Sequence, residues 1–220
     1  MILMTEASRR ALDGLRNLST LKWYVIPLLA IVLYIYAKEI NKARETGNWN
    51  PIYAGLTLFG MDFINETWNG IVFGATQYSA VWTTPGDTAL RTMVGWNIEI
   101  MFMFAIAGIV FYYFLYEDKD KKMFGLPNRW AMAIGFAVFC VFVECLLNIG
   151  GLLIWVYPWW SLSPWGVILI FLIGYFQFYV AVVLVIQLKD DKQKKMAIGV
   201  IYAVAIILNV IFMGILGWVY

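Results

Sequence analysis

The chain of 220 residues contains no histidine and only two cysteines. The lack of histidine excludes histidine-ligated iron, copper and haem sites, and it also excludes acid/base relays that depend on imidazole. Cys140 and Cys145 are five positions apart in an apolar run, which places them on different faces of a helix. We therefore expect two free thiols and no disulfide.

Charge is also scarce in this sequence. Charged residues make up 14% of the chain and apolar residues 62%, and the mean hydropathy is +0.74. A net charge of +2 without a basic patch gives no support for nucleic acid as a partner. The composition predicts a multi-pass integral membrane protein, and membrane lipids are its expected surroundings.

Six apolar segments are long enough, or nearly long enough, to cross about 30 Å of hydrocarbon. They predict an all-α bundle of about six transmembrane helices over residues 21–220. No linker rich in glycine, serine or proline divides this region, so we expect one domain. The predicted spans are 21–37, 53–75, 92–116, 130–156, 166–188 and 196–218.

Residues 1–20 precede the first predicted span. Leu12, Leu15 and Leu18 alternate there with arginines in helical spacing. This pattern predicts an amphipathic helix that lies on the membrane surface.

Tryptophan is frequent at the ends of the predicted spans. Such positions are typical of an aromatic belt at the membrane interface. The residues that we assign to the belt are Trp23, Trp82, Trp96, Trp130, Trp155, Trp159, Trp160, Trp165 and Trp218.

Lysine and arginine are unevenly distributed over the loops. Eleven of them fall around the loops 38–44, 117–129 and 189–195, and five fall on the other side of the predicted bundle. The positive-inside rule therefore predicts that these three loops are cytoplasmic and that both termini face outward. The eleven are Lys38, Lys42, Arg44, Lys119, Lys121, Lys122, Arg129, Lys189, Lys192, Lys194 and Lys195, and the five are Arg9, Arg10, Arg16, Lys22 and Arg91.

The second predicted span carries a polar stripe in the sequence GMDFINETWNGIVFG. Asp62, Asn65, Glu66 and Asn69 fall at i, i+3, i+4 and i+7, which places them on one face of a helix. An ionised carboxylate at mid-bilayer costs roughly 2.5 kcal/mol or more, and no lysine or arginine lies inside a predicted span apart from Lys22, the second residue of the first span. Such a carboxylate must be protonated, hold a cation or face water, and protonation is the simplest solution.

Other spans contain further polar residues. Glu99 lies early in the third span, and Glu144 with Asn148 at i and i+4 lies in the fourth. We predict a polar cavity between the second, third and fourth spans, with Glu66 and Glu144 as leading catalytic candidates. Asp62 and Glu99 lie nearer the ends of their spans and could reach the headgroups. The candidate substrate-binding residues are Asn65, Trp68, Asn69, Asn148, Trp155 and Gln177.

The amide side chains also have a structural interpretation. Asparagine and glutamine inside spans, including Asn209, form hydrogen bonds between helices that are worth roughly 0.6 kcal/mol each. For a single amide this interpretation is favoured over a functional one.

The sequence contains a weak internal repeat. Glu66 to Asn69, followed by YSAVWTTPGD, is echoed by Glu144 to Asn148, followed by VYPWWSLSPWG. Parallel repeats of this kind often place a site at the interface between the halves. Chance similarity between two biased membrane sequences is the alternative.

Two kinds of chemistry use such a stripe. Asp62 and Glu66 offer hard oxygen ligands for Mg²⁺ or Ca²⁺, but a magnesium site for a diphosphate needs basic residues nearby, and the second, third and fourth spans contain none. We therefore expect no metal and no cofactor. A neutral carboxylic acid that donates a proton and a second carboxylate that accepts one suit the cyclisation or isomerisation of an isoprenoid or other apolar lipid better. Aromatic rings can stabilise the intermediate cation.

The stretch from Trp23 to Phe73 resembles the small integral-membrane terpene cyclases of meroterpenoid and indole-diterpene pathways, whose second helix shows an Asn-x-x-Trp-Glu pattern. Asn65 and Trp68 match this pattern, but Asn69 takes the place of the glutamate and Glu66 lies about one turn earlier. The family usually has seven spans instead of six. The resemblance implies an acid role for Glu66.

Two other classes remain open. A proton- or cation-coupled transporter of a small molecule also uses intramembrane carboxylates and repeated halves, and its helices are often interrupted at glycines. Candidate interruptions are Gly60, Gly70, Gly74, Gly150 and Gly151. In a non-catalytic subunit or lipid-binding protein, the polar stripe would instead contact partner helices, and an oligomer is compatible with the sequence.

Overall fold

The computed structural model describes residues 4–116, 118 and 121–220. The predicted all-α bundle is confirmed. Two helices contain π-helical stretches, Ile170–Phe176 and Val210–Ile215. The helices of the described part are α1 (Glu6–Leu12), α2 (Val25–Thr46), α3 (Asn50–Thr76), α4 (Ile98–Tyr113), α5 (Asn128–Ile149), α6 (Pro164–Ile186) and α7 (Asp191–Ile215).

Short β-strands lie in the connections between the helices. The strands are β1 (Trp82–Thr83), β2 (Arg91–Met93), β3 (Trp96–Asn97), β4 (Lys122–Met123), β5 (Leu126–Pro127) and β6 (Ile154–Trp155). β2 pairs with β3 and β4 pairs with β5, as local antiparallel hairpins. β1 pairs with the distant β6, and this antiparallel pair places Trp82 opposite Trp155. The β1–β6 pair thus joins the loop that follows α3 to the loop that follows α5.

Helix α3 is the centre of the bundle. It packs against α4, α6 and α7, and Ala54 and Leu58 on it are fully buried. Its contact with α4 depends on small residues, because a Cβ at Gly108 would collide with the carbonyl oxygen of Ala54. Close approach at glycine is a common way for helices to pack in membranes.

Helices form at all six places where spans are predicted. Among the described residues, α5, α6 and α7 are long and apolar enough to cross a membrane by length and composition. α4 is shorter, with 16 residues, and α2 continues past residue 37 into charged sequence. α5 ends at Ile149 and not at residue 156, because Gly150 and Gly151 follow and Gly151 adopts a positive φ of 72°. Six membrane crossings remain a prediction.

The residues 38–44, which form the last turns of α2 and are not a loop, lie at the same end of the bundle as the start of α7 and the described part of 117–129. Lys194 Nζ donates to Asn50 Oδ1 at 2.7 Å, and Asn48 Nδ2 donates to the Tyr112 hydroxyl at 3.0 Å. These bonds connect the starts of α7 and α3 with the end of α4. Part of the loop 117–129, including Lys119, lies outside the described residues, and the cytoplasmic assignment of this end remains a prediction.

The N-terminal segment differs from the continuous helix that the leucine spacing predicts. α1 ends at Leu12, and Gly14 adopts a φ of 74°, which turns the chain before Leu15. α1 also packs on the protein, since its Ser8 hydroxyl lies 2.9 Å from the Ser79 hydroxyl. Arg16 then binds the carbonyl oxygens of Thr92 and Tyr220, so this segment fastens the end of the bundle opposite the lysine-rich loops. Residues 1–3 lie outside the described part.

Several tryptophans of the predicted aromatic belt point into the protein. Trp82, Trp96 and Trp160 are 7%, 3% and 1% exposed, so the belt assignment is wrong for these three. Trp23 and Trp165 are largely exposed, as belt residues should be. The buried tryptophans need polar partners for their indole N–H groups, and these partners lie in the bundle.

Candidate functional site

A cavity of about 270 Å³ lies between α3, α4, α5 and α6. Its lining is mostly apolar and aromatic, but all four acidic residues that the sequence analysis selected reach it: Asp62, Glu66, Glu99 and Glu144. The sequence predicted walls from the second, third and fourth spans. Residues 174–178 of α6 add a wall that was not predicted.

Glu66 is held on the inner wall by side chains from its own helix and from β1. Its Oε1 accepts a hydrogen bond of 2.8 Å from the indole Nε1 of Trp82, and Asn69 Nδ2 lies 3.5 Å from its Oε2. The residue is buried. The carboxyl group therefore has a fixed orientation beside the cavity.

Asn69 fixes the loop that carries Trp82. Its Oδ1 accepts hydrogen bonds from the backbone N–H groups of Val81 and Trp82 at 2.8 and 3.1 Å, and its Nδ2 donates to the Trp82 carbonyl at 2.8 Å. The side chain is fully buried. Asn69 thus acts on the site by positioning the indole that holds Glu66.

Glu144 has the same arrangement in the second half of the chain. Its Oε1 accepts a hydrogen bond of 3.0 Å from Trp155 Nε1, and Asn148 Nδ2 donates to the Leu153 carbonyl at 2.9 Å. Each half therefore has a helical glutamate, an asparagine about one turn later that holds the next loop, and a tryptophan that returns to the glutamate. The antiparallel pairing of Trp82 with Trp155 brings the corresponding loops of the two halves into contact.

Asp62 adds a third pair of carboxyl and indole groups. Trp96 Nε1 donates to its Oδ2 at 2.8 Å, and the residue is buried near the middle of α3. The suggestion that Asp62 reaches the headgroups from a span end is therefore wrong. The ion pairs in the described part are Glu6 with Arg9 and Asp191 with Lys194, so none of the three buried acids has a cationic partner there.

Glu99 differs from the other three acids. It accepts hydrogen bonds from the Tyr24 hydroxyl at 2.6 Å, the Thr88 hydroxyl at 2.5 Å and the Ala89 N–H at 2.9 Å. Glu99 thus ties α2, the loop before β2 and the start of α4 together at the rim of the cavity, and its supporting catalytic role remains a prediction.

The predicted substrate-binding residues mainly support the walls. Asn65 lines the cavity, and its side chain also donates to the Ile173 carbonyl at 3.1 Å and accepts from Gln177 Nε2 at 2.9 Å. Ile173 belongs to the π-helical stretch of α6. The other predicted residues do not reach the cavity surface: Trp68, Asn69, Asn148, Trp155 and Gln177.

Among the cavity residues that sequence analysis did not select, four lie beside Glu66 or Glu144. Trp82, Trp160 and Tyr175 line it, and Trp160 Nε1 is buried without a hydrogen-bond partner beside Glu144, where Tyr175 also lies. Gly95 lies against Glu66, since a Cβ there would be 2.7 Å from Glu66 Oε2 and 2.5 Å from Asn69 Nδ2. The repeat could have identified Trp82, because both echoed loops contain tryptophan.

The described part of the chain offers no cluster of side chains for a metal ion. Among the described residues, no three cysteine, aspartate or glutamate side chains lie close enough together to hold a metal ion. Both cysteines are free thiols, as predicted.

Comparison with known proteins identifies the family. A family model described as "Uncharacterized membrane protein family" matches residues 5–214. The chain belongs to this family. An "Uncharacterized protein" from Archaeoglobus fulgidus is 42% identical over 216 residues, which cover 98% of this chain and 99% of the relative. No solved structure matches significantly. The protein is thus a membrane protein, and nothing in these comparisons supports the resemblance to terpene cyclases.

Proposed function

We propose that this protein is a membrane enzyme that catalyses acid/base chemistry on an apolar lipid in the cavity between α3, α4, α5 and α6. The proposal rests on one observation. Glu66 and Glu144, each held by one indole N–H, line the same apolar cavity, and neither has a cationic partner in the described part. Buried carboxyl groups without such partners are uncommon in membranes and usually functional.

The environment suits neutral carboxylic acids. Removing an ionised carboxylate from water without a partner is very unfavourable, so such a group normally takes up a proton. A neutral acid can still donate that proton to a substrate. The indole N–H bonds to Glu66 and Glu144 remain when the groups ionise, and they then stabilise the carboxylate that the reaction forms.

The proposed reaction transfers one proton in and one proton out. One glutamic acid donates its proton to a carbon of a C=C bond, and the π electrons of that bond form the new C–H bond. The neighbouring carbon becomes a cation, which can also be attacked by a second C=C bond of the same molecule to close a ring. The other glutamate, as carboxylate, removes a proton from an adjacent carbon, and the C–H electrons form a new double bond. The product is an isomer of the substrate.

The cavity can also stabilise the cation. Trp82 and Trp160 line it and stack with ring centroids 5.4 Å apart, and Tyr175 lies beside Glu144. Aromatic faces attract cations, and the attraction is stronger where water is excluded. An isoprenoid is the substrate class that suits the acid and the aromatic rings best, because protonation of its branched double bonds forms tertiary cations.

The test is a conversion assay without any ion gradient. The purified protein in phosphatidylcholine nanodiscs is incubated with an isoprenoid alcohol such as geranylgeraniol and, separately, with a lipid extract of its host membrane. Chromatography with mass spectrometry should detect a product of unchanged mass and altered retention time. Lipid pools that stay unchanged in both incubations would contradict the proposal.

Transport is a second candidate, because the π-helical stretch of α6 lies at the cavity wall and irregular backbone is common at transporter sites. The glycines of α3 do not interrupt it, however. Side chains pack against them, since a Cβ at Gly70 or Gly74 would collide with Tyr220 or Trp218. Uptake of a labelled substrate into proteoliposomes, driven by a pH gradient and without conversion, would favour transport over catalysis.

A further inference from the structure

The helices α4 and α5 enclose the cavity on one side without closing it. Near the loop that connects them, Phe136 lies 5.3 Å from both Phe111 and Phe114, measured between ring centroids, so the helices touch there. One turn further along α5, Phe139 lines the cavity and is 62% exposed, and on α4 Met103 also lines the cavity and is 51% exposed. The cavity therefore reaches the outer surface of the bundle between the two helices, at a gap lined by Met103 and Phe139 that we call the α4–α5 opening.

The chemistry of this opening matches hydrocarbon. Ile100 and Met103 on α4 and Phe139 and Val143 on α5 form its edges, and all four side chains are apolar. The neighbouring face of α5 continues outward with the exposed Phe142. An opening of this kind excludes charged solutes and admits an apolar chain directly from the bilayer.

Hydrogen bonds hold the loop on the side of the cavity that faces α1. Glu99 ties Tyr24, Thr88 and Ala89 together at the rim. Arg91 fastens the same loop, since its guanidinium donates to the carbonyl oxygens of Thr84, Gly86 and Asp13. This side of the cavity is therefore bordered by a polar loop with a fixed position, in contrast to the apolar residues at the α4–α5 opening.

The size of the cavity limits what it can hold. Its volume of about 270 Å³ lies just below the roughly 300–1,000 Å³ of pockets that enclose a drug-sized ligand. A long-chain lipid does not fit in it whole. If such a lipid is bound, most of its chain must pass through the opening and remain in the bilayer.

We propose that the ligand is a long-chain lipid that reaches the cavity sideways through the α4–α5 opening, with its functional end beside Glu66 and Glu144 and its remaining chain in the membrane. This inference names the substrate class and the access route for the proposed enzyme, and it rests on that function. Binding can nevertheless be measured without turnover, so the two ideas can fail separately.

The experiment uses photo-crosslinking in phosphatidylcholine nanodiscs. One hexadecanol probe carries a diazirine next to the hydroxyl group and a second carries it at the chain end. Peptide mapping by mass spectrometry should find the first probe on the cavity peptides around Glu66 and Glu144, and the second on the opening around Met103 and Phe139. The reverse pattern, or labelling of neither region, would overturn the proposal.

Variants at the opening test the route. Phe139→Trp places a larger side chain in the α4–α5 opening, and we expect labelling of the cavity by the first probe to fall about tenfold. Phe142→Trp is the matched control, since Phe142 is exposed on the same helix but does not line the cavity, and labelling should be unchanged. Met103→Trp narrows the α4–α5 opening from the side of α4. A similar fall in labelling with this variant would show that the effect of Phe139→Trp does not come from misfolding. Labelling that is equal in all of these variants would overturn the route.

Two further measurements distinguish access from the bilayer from access from water, and lipid binding from catalysis. A short, water-soluble diazirine alcohol should label the cavity poorly, and strong labelling by it would show access from water instead. The measurements are repeated with Glu66→Gln, which should retain the dependence on Phe139 although turnover is lost. If the wild-type protein shows this dependence but converts no lipid, the binding route stands and the catalytic proposal fails.

Discussion

The two glutamate half-sites have similar hydrogen bonds but different surroundings. Glu66 lies on α3, along which every residue from Asn50 to Gly74 is buried or half-buried. Glu144 lies on α5, whose outer face exposes Phe139, Phe142 and Leu146. Asn69 makes three backbone hydrogen bonds in the first half, whereas Asn148 makes one in the second. The first half is thus the fixed inner wall, and the second lies next to the opening.

This difference shows how one motif can provide two groups for one reaction. A proton donor and a proton acceptor must both reach the same substrate. Two similar units of glutamate, asparagine and tryptophan place two carboxyl groups around one cavity.

The largest expected effect comes from removing either carboxyl group. Glu66→Gln and Glu144→Gln should each lower lipid conversion by at least about 100-fold, since acid/base catalysis contributes roughly 10²–10⁴-fold. Glu39→Gln is the control, because Glu39 is buried on α2, where it accepts a hydrogen bond from Tyr113, and it does not line the cavity. Near wild-type conversion in one of the two glutamine variants would break the equivalence of the halves.

Stability should distinguish the two asparagines. Asn69→Ala leaves buried backbone groups of Val81 and Trp82 without partners and should lower the free energy of unfolding by about 2–3 kcal/mol. Asn148→Ala loses one bond to Leu153 and should cost about 1 kcal/mol. Denaturant unfolding in mixed micelles measures both. Equal losses would show that the inner half-site is no more rigid than the outer one.

Filling the space beside Glu66 should have a smaller effect on activity than removing its carboxyl group. Gly95→Ala places a Cβ against Glu66 and Asn69, and displacement of the carboxyl group should lower conversion about tenfold, or ~1.4 kcal/mol in the barrier. Gly86→Ala in the same loop meets no atom within 4 Å and should leave conversion unchanged. An active Gly95→Ala protein would argue against a fixed orientation for Glu66.

The indole groups give the smallest expected change. Trp82→Phe and Trp155→Phe each remove one N–H donor, which should cost about 1 kcal/mol, or roughly fivefold in conversion. Trp82→Phe should be the more damaging to stability, since Trp82 also stacks on Trp160. Trp165→Phe, at an exposed position, should have no effect. Unchanged conversion in both the Trp82→Phe and the Trp155→Phe protein would mean that the two indoles only support the fold.

Much of this architecture follows from the sequence. Apolar runs predicted the helices at all six places, and the spacing of Asp62 and Glu66 predicted a polar face that does line a cavity. The repeat also anticipated the likeness of Glu66 and Glu144. These features are local or periodic, which is why they can be recognised along a single chain.

Other features depend on how the loops fold back. A tryptophan at a span end has the same sequence signature whether it is exposed, like Trp23, or buried, like Trp82 and Trp96. The role of Asn69 as a loop anchor was also hidden, because its partners are backbone atoms of residues that follow the helix. The π-helical stretch of α6 has no recognisable pattern, so the wall that Asn65 holds could not be foreseen.

The most direct measurement follows the proton itself. The conversion assay is carried out in D₂O, and the product is examined by mass spectrometry for deuterium bound to carbon. Proton donation by a glutamic acid that exchanges with water between turnovers predicts one solvent-derived deuteron per product molecule, and no such product with Glu66→Gln or Glu144→Gln. A product that forms without deuterium on carbon would contradict proton transfer from these side chains.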